Sequence, residues 1–246
     1  MHMQVPGEAE ILALWERGLA RHPIDRALLL YAWARPDLPS SSFPDLPLGA
    51  INRVLLRLRE TCFGPRIIAC IDCEHCGTRM EVALYTGQLL AATNEDETSS
   101  DFKVTPAEFE VSSLRFRVPC SRDLAAVSGE QDINAAAVKL LERCCLDRPE
   151  KIDAGFFANM LAEAEAAMEE LDPAAEINLS LSCEDCGHSW LANFNIGTLL
   201  WDEIDVRARA LLAEVHSLAQ AYGWTEPEIF ALSPQRRAAY LDMVGV

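Results

Sequence analysis

The sequence predicts an α+β fold that is mostly helical, with a split zinc-ribbon-like pair of β-hairpins, an inserted α/β region and a C-terminal helical segment. Three observations predict it. The motif Cys-x-x-Cys-Gly occurs twice, as Cys73-Glu74-His75-Cys76-Gly77 and as Cys183-Glu184-Asp185-Cys186-Gly187. Each copy sits between strand-like runs: Ile67–Ile71 and Met80–Tyr85 for the first, Ile177–Leu181 and Trp190–Phe194 for the second. Both ends of the chain carry apolar residues at helical spacing. The expected organisation is a helical region over 1–66, a split core over 67–92 plus 176–200, an insertion over 93–175 and a helical region over 201–246.

The elements follow in order. Ile11, Leu12, Trp15 and Leu19 form one apolar stripe, which predicts a first helix. Pro23 suits a first helical turn, and a second helix runs to Ala34. Pro36, Pro39, Ser40-Ser41-Ser42 and Pro44 mark a loop. A third helix starts near Pro47, runs through Ile51, Leu55, Leu58 and Cys62, and stops at Gly64-Pro65. The first knuckle hairpin spans Ile67 to Tyr85, and the acidic stretch Asn94 to Asp101 reads as an exposed loop. Phe109–Val111 and Leu114–Val118 read as a strand pair, the second alternating Leu114, Phe116, Val118. Helices are expected over Asp132–Leu146 and over the Ala/Glu-rich Phe156–Leu171, the latter ended by Asp172-Pro173. The second hairpin spans Glu176 to Phe194, and a long amphipathic helix runs from Trp201 to Tyr222, with Ile204, Leu211, Val215 and Leu218 inward. Gly223 stops it, Thr225-Glu226-Pro227-Glu228 reads as a capping box, and Ser233-Pro234 opens a last short helix through Val244. Leu-rich segments follow both hairpins (Gln88-Leu89-Leu90; Thr198-Leu199-Leu200), so the two halves form a degenerate internal repeat.

The two knuckles carry the chemistry. In a Cys-x-x-Cys hairpin the tight turn brings both sulfurs and several backbone N–H groups together, and a following Gly fits the left-handed backbone such turns need. Two of them place Cys73, Cys76, Cys183 and Cys186 at the corners of one tetrahedron, the ligand set of a structural Zn²⁺. Four thiolates around Zn²⁺ leave a charge of −2, which N–H donors and Arg79 are expected to offset. Cys70 has the same spacing to Cys73, and His75 and His188 lie in or beside the knuckles, so each stays open as a substitute ligand. Redox chemistry is the main rival reading. It would need the first Cys at a helix N-terminus, whereas strands follow both motifs here. A deaminase would need His-x-Glu and Pro-Cys-x-x-Cys, and neither occurs. A closed four-cysteine shell also leaves no open coordination position.

Composition bounds the rest. The 246 residues are 50% hydrophobic, enough for a substantial core. The net charge of −17 opposes phosphate backbones, so no nucleic-acid partner is expected. No apolar run reaches the roughly 18 residues of a bilayer span, and Met1-His2-Met3-Gln4-Val5-Pro6 lacks the features of a signal peptide. The expectation is a soluble cytoplasmic protein with no membrane contact, free or built into a virion or tail-like particle. Nine cysteines without an export signal argue against a disulfide framework. Cys62, Cys70, Cys120, Cys144 and Cys145 then read mostly as small buried hydrophobes. No phosphate loop, Gly-x-Ser-x-Gly elbow or His-Glu-x-x-His is present, so no catalytic residue, no small-molecule substrate and no enzymatic activity are expected. His22 and His216 are isolated, Arg236-Arg237 reads as a solvated face, and Trp224 is the best aromatic candidate for an interface anchor.

Several segments together resemble a known family. They are Leu14-Trp15-Glu16-Arg17-Gly18-Leu19, His22-Pro23-Ile24-Asp25-Arg26-Ala27, Thr61-Cys62-Phe63-Gly64, Ala221-Tyr222-Gly223-Trp224-Thr225-Glu226-Pro227-Glu228-Ile229 and Leu232 to Leu241. The pattern resembles the baseplate proteins and hub-assembly chaperones of T-even-like contractile phage tails, and their counterparts in contractile injection systems. The likeness covers both ends and the knuckles, and only loosely the region from Leu90 to Ala175. It implies a non-enzymatic baseplate component or assembly chaperone whose partners are baseplate hub or wedge proteins. The alternatives are a zinc-ribbon adaptor in transcription or RNA-linked complexes, and a thiol oxidoreductase.

Overall fold

The computed structural model of the protein describes residues 6–92, 106–147 and 155–245. The acidic stretch 94–101 lies outside them. Helices α1 (Glu8–Gly18), α2 (Pro23–Ala34) and α3 (Leu48–Phe63), with a 3-10 turn at Ser40–Asp45 between the last two, lead into the first hairpin, β1 (Arg66–Asp72) and β2 (Arg79–Tyr85). The short α4 (Thr86–Ala91) follows. The middle of the chain holds the hairpin β3 (Glu108–Val111) and β4 (Leu114–Arg117), then α5 (Ser121–Val127), α6 (Ile133–Cys144), a 3-10 turn at Ala158–Met160 and α7 (Leu161–Leu171). The second knuckle hairpin is β5 (Ile177–Ser182) and β6 (Ser189–Phe194), followed by α8 (Ile196–Tyr222), α9 (Glu226–Phe230) and α10 (Pro234–Val244). Among the described residues the three sheets are each a single antiparallel pair, a mixed helix-and-strand character compatible with the α+β class.

Helix α8 is the axis of the molecule. Its 27 residues give a length of about 40 Å. The Asn195 side chain accepts the Thr198 N–H at 2.9 Å and starts it, and Gly223 at φ 73° ends it. The start is five residues earlier than Trp201, because this cap precedes the Leu199-Leu200 pair and makes it part of the first turns. Ile196, Leu200, Ile204, Ala208 and Leu211 bury one stripe against α1, α2 and α3. Val215, expected inward, is only half-buried.

The main core joins this stripe to Leu30, Leu55, Leu56 and Leu58, and it takes in Ile67, Ile177 and Phe194 from the hairpin bases. Burying side chains from both hairpins roots the knuckles in the helical body. A second core gathers Val111, Phe116, Leu141, Phe157, Met160 and Ala164 from β3, β4, α6, α7 and the stretch leading into α7. The expected helix over Phe156–Leu171 thus begins later, at Leu161, after a turn that sends Phe157 into this core.

The C-terminal helices fold back on α8. Thr225 and Glu228 make the expected capping box, the Glu228 carboxylate accepting the Thr225 N–H at 2.8 Å. Arg237 does not lie on a solvated face. It is 1% exposed and bridges Glu8 of α1 and Glu214 of α8, because two partly buried carboxylates otherwise face each other there. Trp224 stacks on Tyr222 with ring centroids 4.6 Å apart and meets Tyr240 edge-on at 4.9 Å, closing the α8–α10 corner.

Candidate metal centre

The two knuckles repeat each other bond for bond. Cys73 N–H donates to the Thr78 carbonyl at 2.9 Å, and Gly77 N–H donates to the Cys73 carbonyl at 2.8 Å. In the second knuckle Cys183 N–H donates to the His188 carbonyl at 2.8 Å, and Gly187 N–H to the Cys183 carbonyl at 2.9 Å. Gly77 and Gly187 have φ of 73° and 70°. An added Cβ would meet nothing within 4 Å at either, so glycine is there for the left-handed backbone and not for space.

The hairpins then place the knuckles face to face. Cys73 Sγ lies 3.7 Å from Cys186 Sγ, and Cys76 Sγ lies 3.7 Å from Cys183 Sγ. All four sulfurs fall within 4.8 Å of one another. The edge of a tetrahedron with metal–sulfur bonds of about 2.3 Å is about 3.8 Å, whereas a disulfide needs about 2.05 Å. The cluster therefore has the spacing of metal ligands. Each pair joins a buried sulfur of one knuckle (Cys73, Cys183) to an exposed one of the other (Cys76, Cys186). All nine cysteines are free of disulfides.

The exposed sulfurs of the two knuckles differ in their electrostatics. The Thr78 hydroxyl lies 3.3 Å from Cys76 Sγ and, with the Thr78 backbone N–H, holds the Cys76 thiol down to about 6. At Cys186 the His188 backbone N–H favours the thiolate, but burial and the neighbouring sulfurs prevail and push that thiol up to about 12. Without a positive ion, the crowded sulfurs cannot all ionise at neutral pH. The Thr78 hydroxyl also donates to Asp185 of the opposite knuckle at 2.9 Å. Arg79, expected to offset the charge, is exposed on β2.

The other open ligands take different positions. His75 and His188 stack on each other at 5.5 Å, and His188 stacks on Trp190 at 5.8 Å, which forms an aromatic ladder beside the sulfurs. Cys70 is a residue of strand β1, opposite Glu81 in the register, and it is exposed because strand alternation turns it away from the core.

Two supporting residues were missed in the sequence. Arg59 is 4% exposed; its Nη1 donates to the carbonyls of Gly64 and Arg66 at 2.7 Å each, and its Nη2 pairs with Glu203 of α8 at 2.6 Å. It fixes where the first hairpin leaves α3. An arginine on the apolar stripe beside Leu55, Leu58 and Cys62 was the available signal. The other is Asp123, fully buried and paired with Arg117 at 2.6 Å and Arg143 at 3.2 Å. It accepts the Cys120 N–H at 3.1 Å and so caps α5, a helix not anticipated because cysteine is an unusual capping residue. Burial pushes the nearby Cys144 thiol up to about 12, which makes it unreactive.

Among the described residues no helix is long and apolar enough to cross a membrane. Compared with known proteins, the chain matches no family model, no curated protein and no solved structure.

Proposed function

We propose that this chain is a non-enzymatic baseplate component or assembly chaperone of a contractile phage tail or tail-like injection system, held rigid by one structural Zn²⁺. The observation that carries the zinc is the four-sulfur cluster, with two sulfur–sulfur distances of 3.7 Å and all four sulfurs within 4.8 Å, which fits a tetrahedral thiolate shell. The ion would supply cross-linking, joining hairpins whose cysteines are 113 residues apart, and no chemistry.

The baseplate assignment is supported by where the family-like segments lie. Leu14–Leu19, His22–Ala27 and the C-terminal motifs all belong to helices packed on α8. Trp15 Nε1 donates to Asp205 at 2.7 Å, Arg26 covers the Trp201 ring at 4.6 Å, and Arg237 ties α10 to Glu8. The end segments of the resemblance thus meet in one helical body around α8. Hub or wedge proteins are the proposed partners.

Two measurements test the reading. Elemental analysis should find one zinc per chain and a colourless protein. Iron with visible thiolate absorption would instead mark an electron-transfer centre. Co-expression with hub and wedge proteins encoded beside this chain should give a co-purifying complex. Failure of every tail protein to associate overturns the baseplate assignment, whatever the metal result.

A further inference from the structure

A groove of about 520 Å³ runs between the two knuckle hairpins, lined by Thr78 through Ala83 on one side and Ser180 through Asp185 on the other. Both walls are unbroken runs of residues. A strand that turned a face to the groove would contribute every second residue, because side chains alternate. Consecutive lining means that β2 and β5 present their backbone edges. Among the described residues each pairs with one neighbour, β2 with β1 and β5 with β6. The groove is therefore a gap between two free strand edges. The strand portions of the walls are Arg79–Ala83 of β2 and Ser180–Ser182 of β5, about 16 and 10 Å long at about 3.3 Å per residue, and Cys183–Asp185 continue the second wall as the knuckle turn. The groove closes at the knuckle end, where Thr78 meets Asp185 at 2.9 Å.

Charge selects the occupant. Glu81, Glu184 and Asp185 face one cation, Arg79, and Cys183 brings the metal centre to the groove wall. A second copy of this chain, with a net charge of −17, has the wrong sign. Free edges that repel further copies and attract cations protect the protein from self-association while leaving the slot open.

We propose that an extended, lysine- or arginine-rich segment of a partner protein adds as a strand between β2 and β5. It would join the two hairpins into one five-stranded sheet, antiparallel to one edge and parallel to the other. The inference stands apart from the baseplate assignment.

The test uses the full metal-loaded chain and a fluorescein-labelled nonapeptide of alternating lysine and valine or threonine. One control carries N-methyl groups on alternate backbone nitrogens, which keeps the charge and removes strand donors. A second control has glutamate for lysine. The parent peptide should bind, with amide shifts confined to 78–83 and 180–185. Both controls should bind at least about tenfold more weakly. The double variant E81K/E184K, altered at two exposed positions, should lose about tenfold for the parent peptide. No binding by the parent, equal binding by the N-methylated control, or shifts elsewhere would overturn the proposal.

Discussion

Asp172 caps α3 from far along the chain: its Oδ2 accepts the N–H of Gly49, 123 residues earlier and in the first turn of that helix, at 2.9 Å. Arg53, one turn on, lies 3.6 Å from the other carboxylate oxygen. Beside it Asn52 donates to the carbonyls of Ala174 and Ala175 at 2.8 and 3.2 Å. One end of α3 thereby sets the start of β5, while its other end, through Arg59, sets the start of β1. The same helix aligns both hairpins before any ion joins them. Position 49 needs glycine here because an added Cβ would lie 1.8 Å from Asp172 Oδ1.

The charge state of Asp172 gives a pH prediction. Burial raises its carboxyl pKa, opposed by the Gly49 N–H and by Arg53. A raised folded-state pKa means that the folded protein holds this proton more tightly than the unfolded chain. The contribution is therefore fully present below the unfolded value near 3.9 and falls as pH rises through the folded value. Asp172→Asn keeps an acceptor and carries no charge. It should melt within about 1 kcal/mol of the parent at neutral pH and lose that part of the slope. Asp172→Ala removes the acceptor and should cost about 1–3 kcal/mol. Thermal melts across pH for the three proteins check both statements.

Asp123 has the opposite sign. Burial alone would raise its pKa, but Arg117, Cys120 and the Cys120 N–H outweigh it and hold the carboxyl below its usual range. Its contribution is thus present above the unfolded value and lost as pH falls through the depressed folded value. Asp123→Asn should destabilise the protein by about 2–3 kcal/mol at pH 7, the scale of hydrogen bonds to a charged group. It should also flatten the acid limb of the stability curve. An equal loss at all pH values would show that the carboxylate charge plays no part.

If the proposed zinc is bound, removing it should be costly because of the loop it would close. By chain entropy, a cross-link across about 100 residues is worth about 4–5 kcal/mol. For a chain of this size that is about 10–15 °C in melting temperature. Chelation, or Cys183→Ser with Cys186→Ser, should lower the melting point by that amount. The helical signal should largely survive at low temperature, since α3, α8 and the main core bury their apolar faces without the knuckles. An unchanged melting point would mean that no ion is bound.

Local chemistry explains which features were legible in the sequence. The knuckles, their glycines, the Thr225–Glu228 capping box and the apolar stripes of α3 and α8 each depend on residues a few positions apart. The pattern is therefore written in the sequence itself. Asp172, Arg59 and Arg237 act across 123, 144 and 229 residues, and nothing near them shows the partner. Arg237 was read as solvated because a charged side chain at the start of a short polar helix normally is. Helix α5 escaped because its cap is Cys120. The four clustered cysteines were identifiable because spacing and repetition mark them, whereas the groove between β2 and β5 exists only once the hairpins are set face to face.

Arg237 supplies the last prediction. It is 1% exposed, donates to Glu8 and Glu214 and to the Leu232 carbonyl at 3.0 Å, and packs over the Phe230 ring. Arg207 pairs with the same two carboxylates from the more open side, at 3.1 and 3.2 Å. Arg237→Ala leaves Glu8 and Glu214 sharing one half-exposed cation and opens a gap under Phe230. The two glutamates keep some solvent contact, so the cost should sit at the low end of the range for breaking a buried pair, about 3 kcal/mol. Arg237→Lys should recover little of it, because an ammonium on a flexible stem cannot span two carboxylates and a carbonyl as the planar fork does. The loss should be local. In hydrogen exchange, α9 and α10 should open while the amides of α3 and the hairpins keep their protection, and zinc content should stay unchanged. Uniform loss of protection would instead make the C-terminal helices part of the central cooperative unit.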